Sequence, residues 1–337
     1  METKNLLREL SQSIGIGHID SARETLGHIL SPYAKLKNCG SLGLIAEINS
    51  GKEKTILLDA HIDQVGFVVT NVDSEGFVSV SACGGIDLRQ LPTREVLIHA
   101  KRCVPGVFVS TPPHLSKGEE KFSDIEKIKI DTALGDEARK IISVGDFVTY
   151  KGDFLSLSDT RVCSKSLDNR AGCTVLALLA QRLYGKDLPV NVTMLFSDSE
   201  ELGLRGARTA AFGIEADEAV CIDVSFGDAP DVPQNKCAKL SSGAMIGVSP
   251  ILDRGITRAL ENISESQNIP STREVMGSTT GTNADVLSVS KNGIKCGLLS
   301  IPLRNMHTDC EIIDINDIEA TVSLLEKFIL MGGSKNA

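Results

Sequence analysis

The 337-residue chain contains no tryptophan, and aromatic residues make up only 4% of it. Aliphatic side chains must therefore dominate any core, and a hydrophobic content of 42% is enough to build a sizeable one. Basic residues are in the minority, 35 against 44 acidic residues, for a net charge of −9. No basic run occurs, so nothing in the composition indicates a nucleic acid or an anionic membrane as partner.

Several motifs are also missing. The nine cysteines include no C-x-x-C pair, which is typical of reduced thiols in the cytoplasm. The start of the chain lacks a signal-peptide core, and no apolar run reaches membrane-spanning length. G-x-S-x-G, a phosphate loop and a dinucleotide fingerprint are absent, which argues against a serine hydrolase or a nucleotide enzyme. We therefore predict a cytoplasmic protein without a membrane partner.

The most informative motif is SDSEELGLRGA at 197–207. The apolar, partly β-branched run before it predicts a buried strand, and a short helical pattern follows it. Glu200 and Glu201 therefore come at the carboxyl end of a predicted core strand, where open α/β sheets bind their ligands. Adjacent side chains diverge, so one carboxylate could bind a cation while the other holds or moves a proton. A solvated acidic turn is the simpler alternative.

A second apolar strand, at 55–60, leads directly into His61 and Asp63. Side chains two positions apart in an extended chain point the same way. Asp63 could therefore fix the tautomer and orientation of a metal-binding His61. Taken alone, a histidine after an apolar strand is more often a structural hydrogen-bonding residue.

Three further candidates occupy similar positions. Asp223 ends a predicted strand at 218–222, and His307 follows another at 296–301. Asp168 precedes a long amphipathic helix, where an aspartate is usually an N-cap. Each residue taken alone has a structural explanation, but all of the candidates share a position at a strand end or a helix start.

The segment 65–161 has a different pattern. Six short alternating runs separated by turn residues predict a small all-β barrel or sandwich. Because α/β patterns flank it, we interpret it as an insertion into a discontinuous α/β domain formed by 1–64 and 162–337. Residues 110–124 predict a mobile loop, in which His114 is a loop histidine rather than a ligand.

Together the candidates comprise two imidazoles and five carboxylates expected at one sheet edge: His61, Asp63, Asp168, Glu200, Glu201, Asp223 and His307. So many acids would repel one another unless cations neutralised them. Nitrogen and oxygen ligands without thiolate suit zinc, cobalt or manganese in a catalytic site. Two such ions could share a bridging carboxylate and a bridging water.

Six ordered motifs resemble those of the tetrahedral aminopeptidase (TET) family: DAHIDQVGF, SLDNRAGC, SDSEELGLRGA, CIDVSFGDAPD, TTGTNADV and IPLRNMHT. That family comprises dinuclear metallo-aminopeptidases of glutamyl and leucyl type, some of them once described as cellulases. The resemblance runs nearly end to end and includes VPGV and PPHL in the inserted segment. It implies a mixed-sheet α/β/α metallopeptidase fold of the phosphorylase/hydrolase-like type, with an inserted β-barrel for dimerisation and assembly.

The resemblance also implies five metal ligands: His61, Asp168, Glu201, Asp223 and His307. Asp168 would bridge two divalent ions. His61 and Asp223 would complete the shell of one ion. Glu201 and His307 would complete the shell of the other. Zn²⁺ or Co²⁺ is expected, with Mn²⁺ as an alternative.

Two catalytic roles are implied as well. Glu200 would be the general base, and Asp63 would support His61. A cis peptide is implied after Asp168. Gln64 and Asn305 depart from the family pattern, as does the pair Asp198-Ser199 before the two glutamates; these departures bear on substrate preference and remove no proposed ligand.

The predicted activity is removal of N-terminal residues from short peptides with a free N-terminus. The resemblance further implies a homo-oligomer, a dodecamer of tetrahedral symmetry. Two alternatives remain open at this point. The same dinuclear site could serve an amidohydrolase or deacylase, or the chain could be a non-catalytic metal-binding assembly protein.

Overall fold

The computed structural model describes residues 2–334 except 39, 41, 49–50, 111, 113, 116–124 and 126–127. The helices in the described residues are α1 (Thr3–Gln12), α2 (Ser21–Leu30), α3 (Ala138–Ile141), α4 (Leu167–Leu183), α5 (Arg205–Gly213), α6 (Arg254–Gln267), α7 (Ala284–Leu287) and α8 (Ile315–Leu330). The strands are β1 (Gly15–Ile16), β2 (Ile19–Asp20), β3 (Lys35–Asn38), β4 (Gly43–Ile48), β5 (Thr55–His61), β6 (Gly66–Val72), β7 (Val78–Cys83), β8 (Glu95–His99), β9 (Cys103–Phe108), β10 (Lys129–Asp131), β11 (Phe147–Tyr150), β12 (Leu155–Ser156), β13 (Arg161–Ser164), β14 (Asn191–Ser197), β15 (Glu218–Phe226), β16 (Ala244–Val248), β17 (Ser271–Val275), β18 (Lys295–Leu303) and β19 (Glu311–Asp314).

An eight-stranded mixed sheet forms the centre of the molecule, in the order β17-β16-β18-β15-β5-β14-β4-β3. Its four central strands, β18, β15, β5 and β14, run parallel to one another. β4 and β16 join this group in antiparallel orientation. Because parallel strands end at the same edge, the residues that follow the central strands are collected along one side of the sheet.

The central strands are buried on both faces, as their nearly continuous apolar sequences predict. In β5, Ile56 and Leu58 pack into the core beneath α1, α4, α6 and α8, while Leu57 faces the core beneath α5 and α7. This alternation follows from the two-residue repeat of a strand. Helices thus cover both faces, and the predicted α/β/α architecture is confirmed.

The inserted segment forms a closed barrel of six strands in the order β10-β7-β6-β11-β8-β9. Pairing between β10 and β9 closes it. The barrel has its own hydrophobic core, in which the ring of Phe67 makes edge contacts with Phe108 and Tyr150. The barrel prediction is confirmed, whereas the domain boundaries at 64/65 and 161/162 stay a prediction. Most of the loop predicted at 110–124 lies outside the described residues.

Several short strands were not predicted from the sequence, among them β3, β17 and β19. β17 and β19 have the short, partly polar sequences STREV and EIID and pair with strands that are distant in sequence, whereas β3, with the polar sequence KLKN, pairs with the next strand, β4. β19 pairs with β13 in a separate three-stranded sheet. Among the described helices, none combines the length and the apolarity that crossing a membrane requires.

Candidate active site

The parallel strands deliver the candidate residues to one edge of the main sheet. β5 ends at His61, and Glu200 and Glu201 follow the end of β14. His307 follows the end of β18. Asp223 lies inside β15, because this strand continues to Phe226 and is longer than predicted.

Asp168 reaches the site because the first turn of α4 is kinked. Asp168 and Asn169 have non-helical backbone angles, and the peptide between them is cis, as the family resemblance implies. The Asn169 amide secures the kink by donating to Ile222 O at 2.8 Å and accepting from Gly172 N at 2.9 Å. The interpretation of Asp168 as an N-cap is wrong, since the side chain that caps the regular part of α4 is Asn169, through the bond from Gly172 N.

The Asp168 carboxylate lies between two imidazoles. Its Oδ1 is 3.1 Å from His61 Nε2, and its Oδ2 is 3.2 Å from His307 Nε2. Each oxygen thus faces a different histidine. This is the arrangement that a carboxylate shared by two cations would require.

Each histidine has a further carboxylate beside it. His61 Nε2 is 3.7 Å from Asp223 Oδ1, and His307 Nε2 is 3.2 Å from Glu201 Oε1. One ligand atom from each of His61, Asp168 and Glu201 lies within 4.8 Å of the others, so these three residues could hold a metal ion. All five ligands inferred from the resemblance therefore lie in one cluster.

Asp63 contacts the backbone of the two adjacent glutamates. Its carboxylate accepts hydrogen bonds from Glu200 N at 2.9 Å and Glu201 N at 3.1 Å. His61 Nδ1 approaches Asp63 Oδ1 to 3.4 Å, but among the described residues it makes no aligned hydrogen bond. The main contact of Asp63 is thus with the turn that carries the glutamates, which a two-residue spacing could not reveal.

Glu311 is a site residue that sequence reasoning missed. Its buried carboxylate accepts hydrogen bonds from Asp168 N at 3.1 Å and from His307 N at 2.8 Å. Glu311 therefore holds the backbone of both residues whose side chains meet at the centre of the cluster. Its position in the unpredicted strand β19 left no sequence signal for this role.

A backbone carbonyl orients the second histidine. His307 Nδ1 lies 2.5 Å from Gly85 O, in the loop after β7. A carbonyl can only accept, so Nδ1 carries the proton of this bond, and Nε2 is the nitrogen that faces Asp168 and Glu201. The barrel side of the molecule thus contributes to the site.

The electrostatics of the cluster show a surplus of buried negative charge. Burial raises the pKa of Glu200 to about 9; His61 opposes this shift, while Asp223 and Glu201 add to it. Burial also raises the pKa of Glu201 and of Asp223. Burial alone would lower the pKa of His307, but Asp168 and Glu201 outweigh it and raise this pKa to about 11.

The raised pKa values of Glu200, Glu201 and Asp223 indicate that, without a cation, the cluster favours protonated carboxyl groups. The donors are nitrogen and oxygen atoms, they converge within one largely buried cluster, and their excess of carboxylates would be neutralised by divalent charge. Zinc and similar divalent ions prefer imidazole and carboxylate ligands, and these are the groups that the cluster contains. The residues present therefore fit the metal group that the resemblance implies.

Solved structures of other proteins share this fold over nearly its whole length. An aminopeptidase from the archaeon Desulfurococcus kamchatkensis gives a TM-score of 0.91 at 26% identity, covering 97% of this chain and 94% of that one. The TET1 peptidase of Pyrococcus horikoshii, which can assemble into a tetrahedron or a large octahedral shell, gives a TM-score of 0.86 at 29% identity, covering 98% of this chain and 99% of that one. By sequence, the lysyl aminopeptidase of Pyrococcus furiosus is 26% identical, over 96% of each chain.

The fold, the clustered acids and histidines, and these likenesses define an α/β peptidase of the aminopeptidase class. Residues 43–324 match the M42 glutamyl aminopeptidase family, and the chain belongs to that family. The resemblance to tetrahedral aminopeptidases that the six motifs indicate is thereby confirmed.

Proposed function

We propose that the protein is a metal-dependent aminopeptidase that releases N-terminal residues from short peptides. The observation that carries the proposal is the Asp168 carboxylate, which presents one oxygen to His61 and the other to His307. Glu201 and Asp223 lie beside these histidines. Family membership supports the same activity.

The residues that would hold two divalent ions are His61, Asp168, Glu201, Asp223 and His307. Asp168 would be shared, with His61 and Asp223 on one side of it. Glu201 and His307 would lie on the other side. Zn²⁺ or Co²⁺ best suits this donor set, with Mn²⁺ as an alternative. When bound, such ions lower the pKa of a water molecule and polarise a peptide carbonyl.

Glu200 would act as the general base. It lies next to the cluster, and Asp63 fixes its backbone through the hydrogen bond to Glu200 N. A general base accepts a proton from the attacking water and returns it to the leaving amine. Burial is the main reason that the pKa of Glu200 lies above its usual range, and the carboxylates of Asp223 and Glu201 add to the shift.

The proposed donor set also suits a substrate with a free N-terminus. A free, neutral α-amine could serve as a nitrogen ligand to an ion held by these residues, whereas an acylated nitrogen is a poor ligand. Short peptides with free N-termini are therefore the proposed substrates.

We assign the assembly role to the inserted barrel at 65–161 and the catalytic role to 1–64 and 162–337. The likeness to a TET1 peptidase that forms closed shells supports a homo-oligomer, for which we propose a tetrahedral dodecamer. In the barrel strand β9, alternate residues point outward, and Val107 is 41% exposed there. Exposed apolar side chains of this kind are suited to contacts between subunits.

The test is an assay of Zn²⁺- or Co²⁺-loaded protein on one peptide series in free and N-acetylated form. Cleavage of the free peptides only, lost on chelation, is the expected result. Cleavage of the acetylated series would favour a deacylase with the same site. Full metal occupancy without cleavage of either series would favour a non-catalytic metal-binding protein.

A further inference from the structure

A cavity of about 260 Å³ contains a carboxylate that the proposed mechanism does not use. Phe226, Met245, Glu274 and Met276 contribute to its lining. Pockets for drug-sized ligands have volumes of roughly 300–1,000 Å³, so this smaller cavity suits a single amino-acid side chain.

Strand register places the cavity beside the candidate active site. Asp223 in β15 pairs with Ser300 in β18, and Ser300 pairs in turn with Met245 in β16. Paired residues face the same side of a sheet, and neighbouring strands are about 4.8 Å apart. The cavity wall at Met245 is therefore on the same face as the Asp223 carboxylate, two strands away.

Glu274 extends from the edge strand β17 towards the active-site strands. Ser300 Oγ donates to one carboxylate oxygen at 2.7 Å, and Ser225 Oγ donates to the other. Burial raises the pKa of Glu274, the two hydroxyl groups partly offset this shift, and Asp223 adds to it. A carboxylate in such surroundings is stabilised when a cation binds next to it.

Two basic residues also border the cavity. Arg273 precedes Glu274 in the strand, so it points to the opposite face, where it pairs with Glu261 at 2.5 Å. Lys236 is exposed. Among the described residues, Glu274 forms no ion pair with either of them, which leaves its carboxylate available to a ligand.

We propose that Glu274 binds the cationic side chain of an N-terminal lysine or arginine in the substrate, an inference that rests on the aminopeptidase activity proposed above. The carboxylate would make a charge-assisted hydrogen bond to the ammonium or guanidinium group. Phe226, Met245 and Met276 would pack against the aliphatic part of the side chain. The protein would thus prefer basic N-terminal residues.

The experiment compares kcat/KM for peptides that differ only in their N-terminal residue: lysine, arginine or norleucine. Norleucine resembles lysine in its aliphatic chain but carries no charge. For the Zn²⁺-loaded wild-type protein, we expect kcat/KM for the lysine peptide to exceed that for the norleucine peptide by about tenfold or more.

Glu274→Gln keeps an acceptor for the serine hydroxyls but removes the charge. It should lower the lysine-to-norleucine ratio by about tenfold and change norleucine cleavage by less than about threefold.

Lys236→Gln is the matched control, because it removes a charge of the opposite sign from the same cavity. It should leave the lysine-to-norleucine ratio unchanged or raise it. An unchanged ratio in Glu274→Gln, or an equal loss on both peptides, would overturn the inference and leave Glu274 as a structural link between β17 and the sheet. Wild-type protein that cleaves norleucine peptides as well as lysine peptides would also overturn it. If the metal-loaded protein cleaves no peptide, the proposed function itself fails and this inference fails with it.

Discussion

At the scale of single residues, neighbours in sequence have different roles in the site. Glu201 lies 3.2 Å from His307, on the ligand side of the cluster. Glu200 makes no contact of this kind among the described residues, and only its backbone is tied to Asp63. Divergent side chains on one short turn therefore separate the carboxylate that we propose as a metal ligand from the one that we propose as the general base.

We predict that Glu200→Gln abolishes turnover while metal content is retained. General acid–base groups contribute roughly 10²–10⁴-fold to rate, so kcat should fall by at least about 10². Glu201→Gln is the matched comparison and should lose metal as well as activity. Metal content measured by mass spectrometry separates the two, and loss of metal from Glu200→Gln would place Glu200 among the ligands instead.

We predict that Glu311 strengthens metal binding although it is not itself a ligand. An amide at this position can accept only through its oxygen, so one of the two backbone donors, Asp168 N or His307 N, would lose its partner. Loss of such outer contacts typically weakens metal affinity by about 10–100-fold. Competition with a fluorescent chelator should show this for Glu311→Gln and no change for Glu137→Gln at an exposed ion pair. Equal affinities in both variants would contradict the role.

At the scale of elements, the glycine in the main motif is explained by close packing. α5 begins beneath the turn that carries the two glutamates, and Gly206 lies against its backbone. A Cβ at Gly206 would come within 2.1 Å of Asp198 O and 2.6 Å of Leu42 O. The motif therefore requires glycine at this point because the turn and the helix are in contact.

We expect Gly206→Ala to destabilise the protein and lower its activity together. Overpacking of this kind costs about 1–3 kcal/mol, and relief of the clash would move the turn with Glu200 and Glu201. Gly213→Ala at the other end of α5 is the control, because a Cβ there meets no atom of the described residues within 4 Å. Urea unfolding and kcat measure both effects. Equal stability of the two variants would show that the turn can move without cost.

At the scale of the whole molecule, the barrel is the element through which we propose that subunits associate. Val107→Lys tests this, because its strand neighbours are Glu95 and Asp131, so the new charge is compatible with the isolated barrel. Light scattering should report a smaller assembly, with the metal content of each chain unchanged. Val289→Lys, at an exposed residue outside the barrel, should leave the assembly intact. An unchanged mass for Val107→Lys would remove this face of the barrel from the interface.

Much of the architecture could be predicted from the sequence. The apolar runs of β5, β14, β15 and β18 and the alternating runs of the barrel depend on local periodicity, which is visible in single segments. For the same reason, the candidate ligands could be located at strand ends. Short polar strands such as β17 and β19 were missed because their pairing depends on distant partners and not on their own composition.

The sequence by itself determined the residue types of the site, their positions near strand ends and helix starts and, through the six motifs, the family. Only the tertiary structure decided which groups meet. The parallel order of the central strands brings His61, Asp223 and His307 to one edge, and the kink at Asp168 places its carboxylate between the two histidines. The role of Glu311, which accepts hydrogen bonds from Asp168 N and His307 N, is visible only in the tertiary structure. The physical reason is that its partners are backbone N–H groups, which every residue except proline carries, so no residue type marks them in advance.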